Sequence, residues 1–120
     1  MASSARSVLF GFQQLDVYHL AIRFVAFSSG LITALPAGHS SLADQLRRAA
    51  LSIPLNIAEG SGRMRAGDAG RHYAIARGSA LECAAILDAC EALTVVQLER
   101  LEEGRALLFR VVQMLSKMCR

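Results

Sequence analysis

The stretch RRAALSIPLNIAEGSGR, Arg47–Arg63, has the periodicity of a helix and a proline inside it. Together with Leu42 and Leu46 upstream, Ala49, Ile53 and Ile57 recur at spacings of three and four, the apolar stripe of an amphipathic helix. Gln45, Arg48, Ser52, Asn56 and Glu59 form a second stripe, polar and about 100° round the helix, so it flanks the core rather than opposing it. Leu51, Leu55 and Ala58 make part of the far face apolar too. A helix apolar on two faces is buried on both. In a chain of 120 residues the Leu51–Leu55 face is therefore expected to meet another subunit. Pro54 has no N–H for the carbonyl of Ala50, which predicts a kink at a cost of about 3 kcal/mol in an ordinary helix interior.

The same 3.6-residue period runs through the rest of the chain, and no alternating β-branched run bounded by turns is present. Four helices follow. The first spans about Gln13 to Leu35 and stops at Pro36. The second starts after Ser41, which with Asp44 forms a variant capping box, and ends at Gly60 as a left-handed cap. The third is capped by Asp68 and runs to about Leu93; Thr94 with Gln97 reads as a capping box opening the fourth. Short connections favour antiparallel neighbours. The expectation is an all-α fold, an up-down-up-down antiparallel four-helix bundle over residues 13–120, preceded by a flexible leader over 1–12.

The fourth helix shows two seams. Leu98, Leu101, Leu108, Val112 and Leu115 form one; Leu107, Val111, Met114 and Met118 form the other. Two seams on two helices predict a homo-oligomer with Leu51, Leu55, Leu107, Val111, Met114 and Met118 at its interface. In the third helix, Gly78 within ARGSALE and the nearby alanines predict close packing against the second helix near Pro54. Glu82, three residues past Ser79, is expected to face Arg48, Asn56 and Glu59, with Arg48 pairing with Glu82 or Glu59 in a partly buried network.

Net charge is +3 and local. Residues 1–46 sum to zero, residues 47–77 hold six Arg against Glu59 and Asp68 for a net +4, and residues 78–120 come to −1. Twelve of the thirteen basic residues are Arg, whose planar fork suits phosphate better than the point charge of Lys. Arg63, Arg65 and Arg71 are thus the candidate nucleic-acid contacts. The apolar run Val17–Leu35 has the length of a membrane span, but Arg23 near its middle argues for a buried bundle helix and against a membrane. No secretion signal is recognisable, which predicts a cytoplasmic protein. Cys83, Cys90 and Cys119 are odd in number and no two are close enough to bridge, so they read as small core residues.

Catalytic and metal chemistry is not expected. No Glu has a His three residues on, and His19, His39 and His72 have no ligand-like spacing. GSGR lacks the following Lys-Ser/Thr of a phosphate-binding loop. No cofactor is implied.

The runs DQLRRAALSIPLNIAEGSGR and YAIARGSALE, with the earlier FQQLDVYHLAI, resemble the four-helix-bundle family of proteins encoded in 23S rRNA intervening sequences. The resemblance covers most of Phe12 to Leu93 and places Arg48, Ser52, Asn56, Glu59, Gly60, Gly78, Ser79 and Glu82 at signature positions. It implies a cytosolic, ring-like homopentamer. The chain is also similar to the accessory proteins of diversity-generating retroelements, basic pentameric bundles that bind nucleic acid and a reverse transcriptase. Two functions are consequently expected: an oligomeric scaffold touching RNA or DNA through Arg63, Arg65 and Arg71, or a protein-protein adaptor whose rim binds a partner enzyme. A small-ligand pocket at the polar stripe is a third.

Overall fold

A computed structural model describes residues 9–119. Four helices follow in chain order: α1 (Asp16–Ala34), α2 (Ser40–Ser61), α3 (Ala66–Ala92) and α4 (Leu98–Met118). The described residues contain no strand. Each helix packs on the next, and α4 packs back on α1, which closes the four around one core. The α2–α3 pair is the most extensive.

The core takes the faces that the periodicity marks. Leu46, Ile53 and Ile57 of α2 are fully buried against Phe24 and Leu31 of α1, Cys83 and Leu87 of α3, and Leu101 and Leu115 of α4. α1 is long and apolar enough to cross a membrane by length and composition. In this fold its face of Val17, Leu20, Ala21, Phe24, Ser28 and Leu31 is buried among the other helices.

Several local expectations are corrected. A short 3₁₀ turn, Gly11–Gln14, precedes α1 and packs on α2, and the Phe12 ring meets Tyr18 edge-on at 4.9 Å. This turn takes in the last two residues of the expected leader; residues 1–8 of it lie outside the described residues. α2 starts one residue before Ser41, with His39 in the cap position and no side-chain cap bond, so the Ser41–Asp44 box does not form. Asp68 lies inside the first turn of α3, whose cap is Arg65. Thr94 sits in a left-handed turn at φ 52 and its Oγ1 donates to the Leu93 carbonyl; the cap of α4 is Gln97, without a side-chain bond.

The glycines exchange roles. Gly60 is not a left-handed cap: it lies within α2 and is buried. The helix ends at Gly62, whose N–H reaches the Ala58 and Glu59 carbonyls at 3.2 and 3.1 Å. Gly78, expected at the closest approach of α2 and α3, is exposed, and nothing lies within 4 Å of the Cβ it lacks. The close approach is at Gly60 instead, where a Cβ would lie 2.6 Å from Tyr73. Pro54 is buried inside a continuous α2.

The second seam of α4 also has a different cause. Leu107 and Val111 are buried in the core of a single chain, and Met114 and Met118 pack against it. α4 lies between α1 and α3, so it needs two apolar seams with no second subunit. Of the six residues expected at an interface, only Leu51 and Leu55 are left exposed.

Candidate functional site

The polar stripe of α2 lies where α2 meets α3. Asn56 Nδ2 donates to the Ser52 carbonyl at 2.9 Å and lies 3.1 Å from Ser52 Oγ. Ser79 Oγ donates to Ser52 Oγ at 2.8 Å, which ties α3 to α2. The Asn56 amide is thereby oriented with Oδ1 toward α3, 3.3 Å from His72 Nδ1. A carbonyl oxygen can only accept, so the network assigns the proton to His72 Nδ1. The other ring nitrogen, Nε2, is buried without a hydrogen-bond partner among the described residues and stands 3.7 Å from Glu59 Oε2.

Ser52, Asn56 and Ser79 are brought together by hydrogen bonds, and Glu59 adjoins them through His72. Arg48 and Glu82 are not: both are exposed, and neither has an ion-pair partner among the described residues. Glu59 pairs with Arg63 at 2.9 Å instead of Arg48. The expected set lacks His72, which lies on the buried face of α3 with Ala76, Ala80 and Cys83, at spacings of four, four and three. That spacing is a readable signal. Its meaning stays hidden in the sequence because an isolated histidine shows no ligand pattern.

Arg63, Arg65 and Arg71 are all exposed, around the connection between α2 and α3. Arg63 is tied to Glu59 on the surface, where such a pair is worth about 0–1 kcal/mol and leaves the guanidinium exchangeable. Arg65 and Arg71 have no acid partner among the described residues. Between Arg63 and Arg65 the side chain of Met64 is 99% exposed. The end of α4 comes alongside the start of α3: a Cβ on Gly70 would lie 3.2 Å from the Cys119 carbonyl. This places Lys117, in the last turn of α4, at the same end of the bundle. Sequence distance conceals that addition, while Asp68 in the first turn of α3 subtracts from it.

Burial sets the thiol chemistry. It pushes Cys83 up to about 12, with Glu82 adding to the effect, and it raises Cys90. A thiol held protonated is a poor nucleophile and a poor metal ligand. Among the described residues no cluster of three His, Cys, Asp or Glu is arranged around a common point. The arrangement as a whole offers a hydrogen-bonded polar seam inside and an arginine-bearing end outside.

The family model of the 23S rRNA-intervening sequence protein matches residues 13–117. The chain belongs to this family. No curated protein matches it. Among solved structures, this intervening-sequence protein is similar to a protein of unknown function from the S23 ribosomal protein family of Bacteroides thetaiotaomicron. The two share 19% identity with a TM-score of 0.80, over 87% of this chain and 98% of that one. At that identity the likeness concerns the fold: four helices around one core.

Proposed function

We propose that this intervening-sequence protein is a non-enzymatic scaffold of the cytoplasm, an up-down-up-down bundle that assembles as a homo-oligomer and holds RNA or DNA at its arginine-bearing end. Five copies is the number that the family resemblance implies. The observation that carries the reading is the exposure of Arg65 and Arg71 without an acid partner among the described residues, beside Arg63 and at the end shared with Lys117. One such patch is modest. Repeated in every copy of an oligomer it becomes a belt, and phosphate contacts then add across subunits. Affinity should fall steeply with salt, with a slope set by the number of phosphates neutralised. Sequence preference should be weak, because phosphate contacts carry no base readout, and stacking on the exposed Phe10 ring, whose turn packs on α2, would be sequence-tolerant.

Retention on single- and double-stranded RNA and DNA, measured at rising salt, tests this. The wild type should bind at low salt, and Arg63→Ala, Arg65→Ala and Arg71→Ala combined should abolish retention while leaving the helical signal intact. A wild type that binds none of the four at low salt ends the reading. The adaptor reading then leads, and Met64 supports it: a wholly exposed thioether side chain between two arginines suits the pocket of a partner protein better than a phosphate backbone.

A further inference from the structure

The bundle carries two large apolar features on different surfaces. One is a ridge on the outward face of α2, where Leu51 and Leu55 are 44% and 60% exposed. The other is an open groove of about 400 Å³ between α3 and α4, walled by Leu81, Ala84, Phe109 and Val112. Leu81 and Phe109 there are 44% and 64% exposed.

Each feature carries net charge at one end, and the two charges are opposite in sign. At one end of the groove Arg105 is held by Asp88, Glu91 and Glu102 at 2.8, 2.6 and 3.0 Å, three carboxylates around one guanidinium. That end is net acidic. At the other end stands Arg77, whose Nε donates to Ser116 Oγ at 2.7 Å. On the ridge, Arg48 and the Arg47–Asp44 pair precede Leu51, a net basic end, and Glu59, held by Arg63 at 2.9 Å, follows Leu55. Arg48 to Glu59 and Arg77 to Asp88 span the same number of helical residues, about 16 Å at the α-helical rise. Laid antiparallel on α3, the ridge sets Leu55 beside Leu81, Leu51 over Ala84 and Ala85, Arg48 beside Asp88 and Glu59 beside Arg77.

We infer that the Leu51–Leu55 ridge of one copy seats in the α3–α4 groove of a second copy, with Arg48 facing Asp88. This rests on the homo-oligomer reading above and names its contact surfaces. Ridge and groove are different surfaces, so the contact is heterologous: every copy offers both, and successive copies join head to tail. It also accounts for Arg48, which has no ion-pair partner among the described residues of its own chain.

The test uses two variants at exposed positions, Leu55→Glu on the ridge and Leu81→Glu in the groove, with circular dichroism to confirm the helices; Phe109→Glu replaces Leu81→Glu if helicity is lost. Light scattering at micromolar concentration should show an oligomer for the wild type and single chains of 12.9 kDa for each variant alone. An equimolar mixture should give a species of two chains, because one intact ridge meets one intact groove and assembly stops there. A mixture that stays at one chain, or variants that keep the wild-type mass, overturns the pairing and leaves the oligomer reading standing. A monomeric wild type overturns both.

Discussion

The ring of Tyr73 occupies the space that a side chain on Gly60 would need: a Cβ there would lie 2.6 Å from Tyr73 Cε1 and 2.9 Å from Cδ1. Real Cβ atoms do not approach a ring so closely, so Gly60→Ala must displace the Tyr73 ring or part α2 from α3. Overpacking of this kind costs about 1–3 kcal/mol, and the better helix propensity of alanine returns about 1. The net expectation is a loss of about 1 kcal/mol. Gly78 is the control. It is mid-helix with open space around it, so Gly78→Ala should gain about 1 kcal/mol. Urea midpoints should move in opposite directions for the two substitutions. Midpoints that move together would show that the Tyr73 contact does not decide the sign.

The α2–α3 seam gives a second prediction. Asn56 donates to Ser52 and accepts from His72, so Asn56→Ala removes one residue and leaves His72 Nδ1 without its acceptor in a buried site. An orphaned buried donor costs about 1–3 kcal/mol. Ser79→Ala removes a single hydroxyl bond whose partner, Ser52 Oγ, keeps Asn56 nearby, and should cost nearer to about 1 kcal/mol. Equilibrium denaturation that ranks Ser79→Ala as the worse of the two would contradict this network.

How far the chain can be read without its structure depends on the length scale of the signal. The buried face of α2 is legible because Leu46, Ala49, Ile53 and Ile57 repeat over several turns, and all four are buried. The polar seam is legible in part for the same reason: Ser52, Asn56 and Glu59 share one flank. Its partner His72 is not, since nothing local says which residue of α3 stops opposite Asn56. The two seams of α4 are visible in the sequence but point to the wrong neighbour. A helix with two neighbours in its own chain has the same pattern as one with a neighbour inside and another outside, and Leu107 and Val111 belong to the first kind. Gly60 and Gly78 exchange roles because the rotation of each helix about its axis decides which glycine meets a neighbour. The caps fail at the shortest range: Thr94 has the right residue type, but the link from α3 to α4 turns through it at positive φ.

Pro54 offers a third prediction, in which two known magnitudes compete. It is buried inside α2 and leaves the Ala50 carbonyl without the usual helical donor. Replacing an interior proline by alanine is worth about 3 kcal/mol of helix stability. Losing two buried methylenes costs about 1.6 kcal/mol at roughly 0.8 each. Pro54→Ala should therefore stabilise the protein by about 1 kcal/mol, seen as a higher urea midpoint. The new backbone amide at position 54 should be protected from hydrogen exchange, because it can donate to the Ala50 carbonyl. A lower midpoint would mean that the ring fills its site better than the methylene count allows.

The buried thiols make the last prediction, a loss of stability at alkaline pH. Burial raises Cys83 from 9.0 to about 12, with Glu82 contributing, and raises Cys90 in the same direction. The folded protein thus holds these protons more tightly than the unfolded chain. Between the two values the unfolded state binds fewer protons, so the stability slope with pH is negative there. The contribution is fully present below pH 9 and is lost as pH rises towards about 12. For Cys83 alone the gap corresponds to roughly 4 kcal/mol at its upper limit. Denaturation midpoints should be flat with respect to these thiols up to about pH 9 and then fall. Cys83→Ala should flatten the fall while costing stability at neutral pH by emptying part of the core. Native thiol labelling supplies the independent check. Cys119 is half-buried and should react first, whereas Cys83 and Cys90 are buried and should label only at the rate of opening. Three thiols labelling together in the native protein would show that the α3 core is open to solvent, and the alkaline transition would then have another origin.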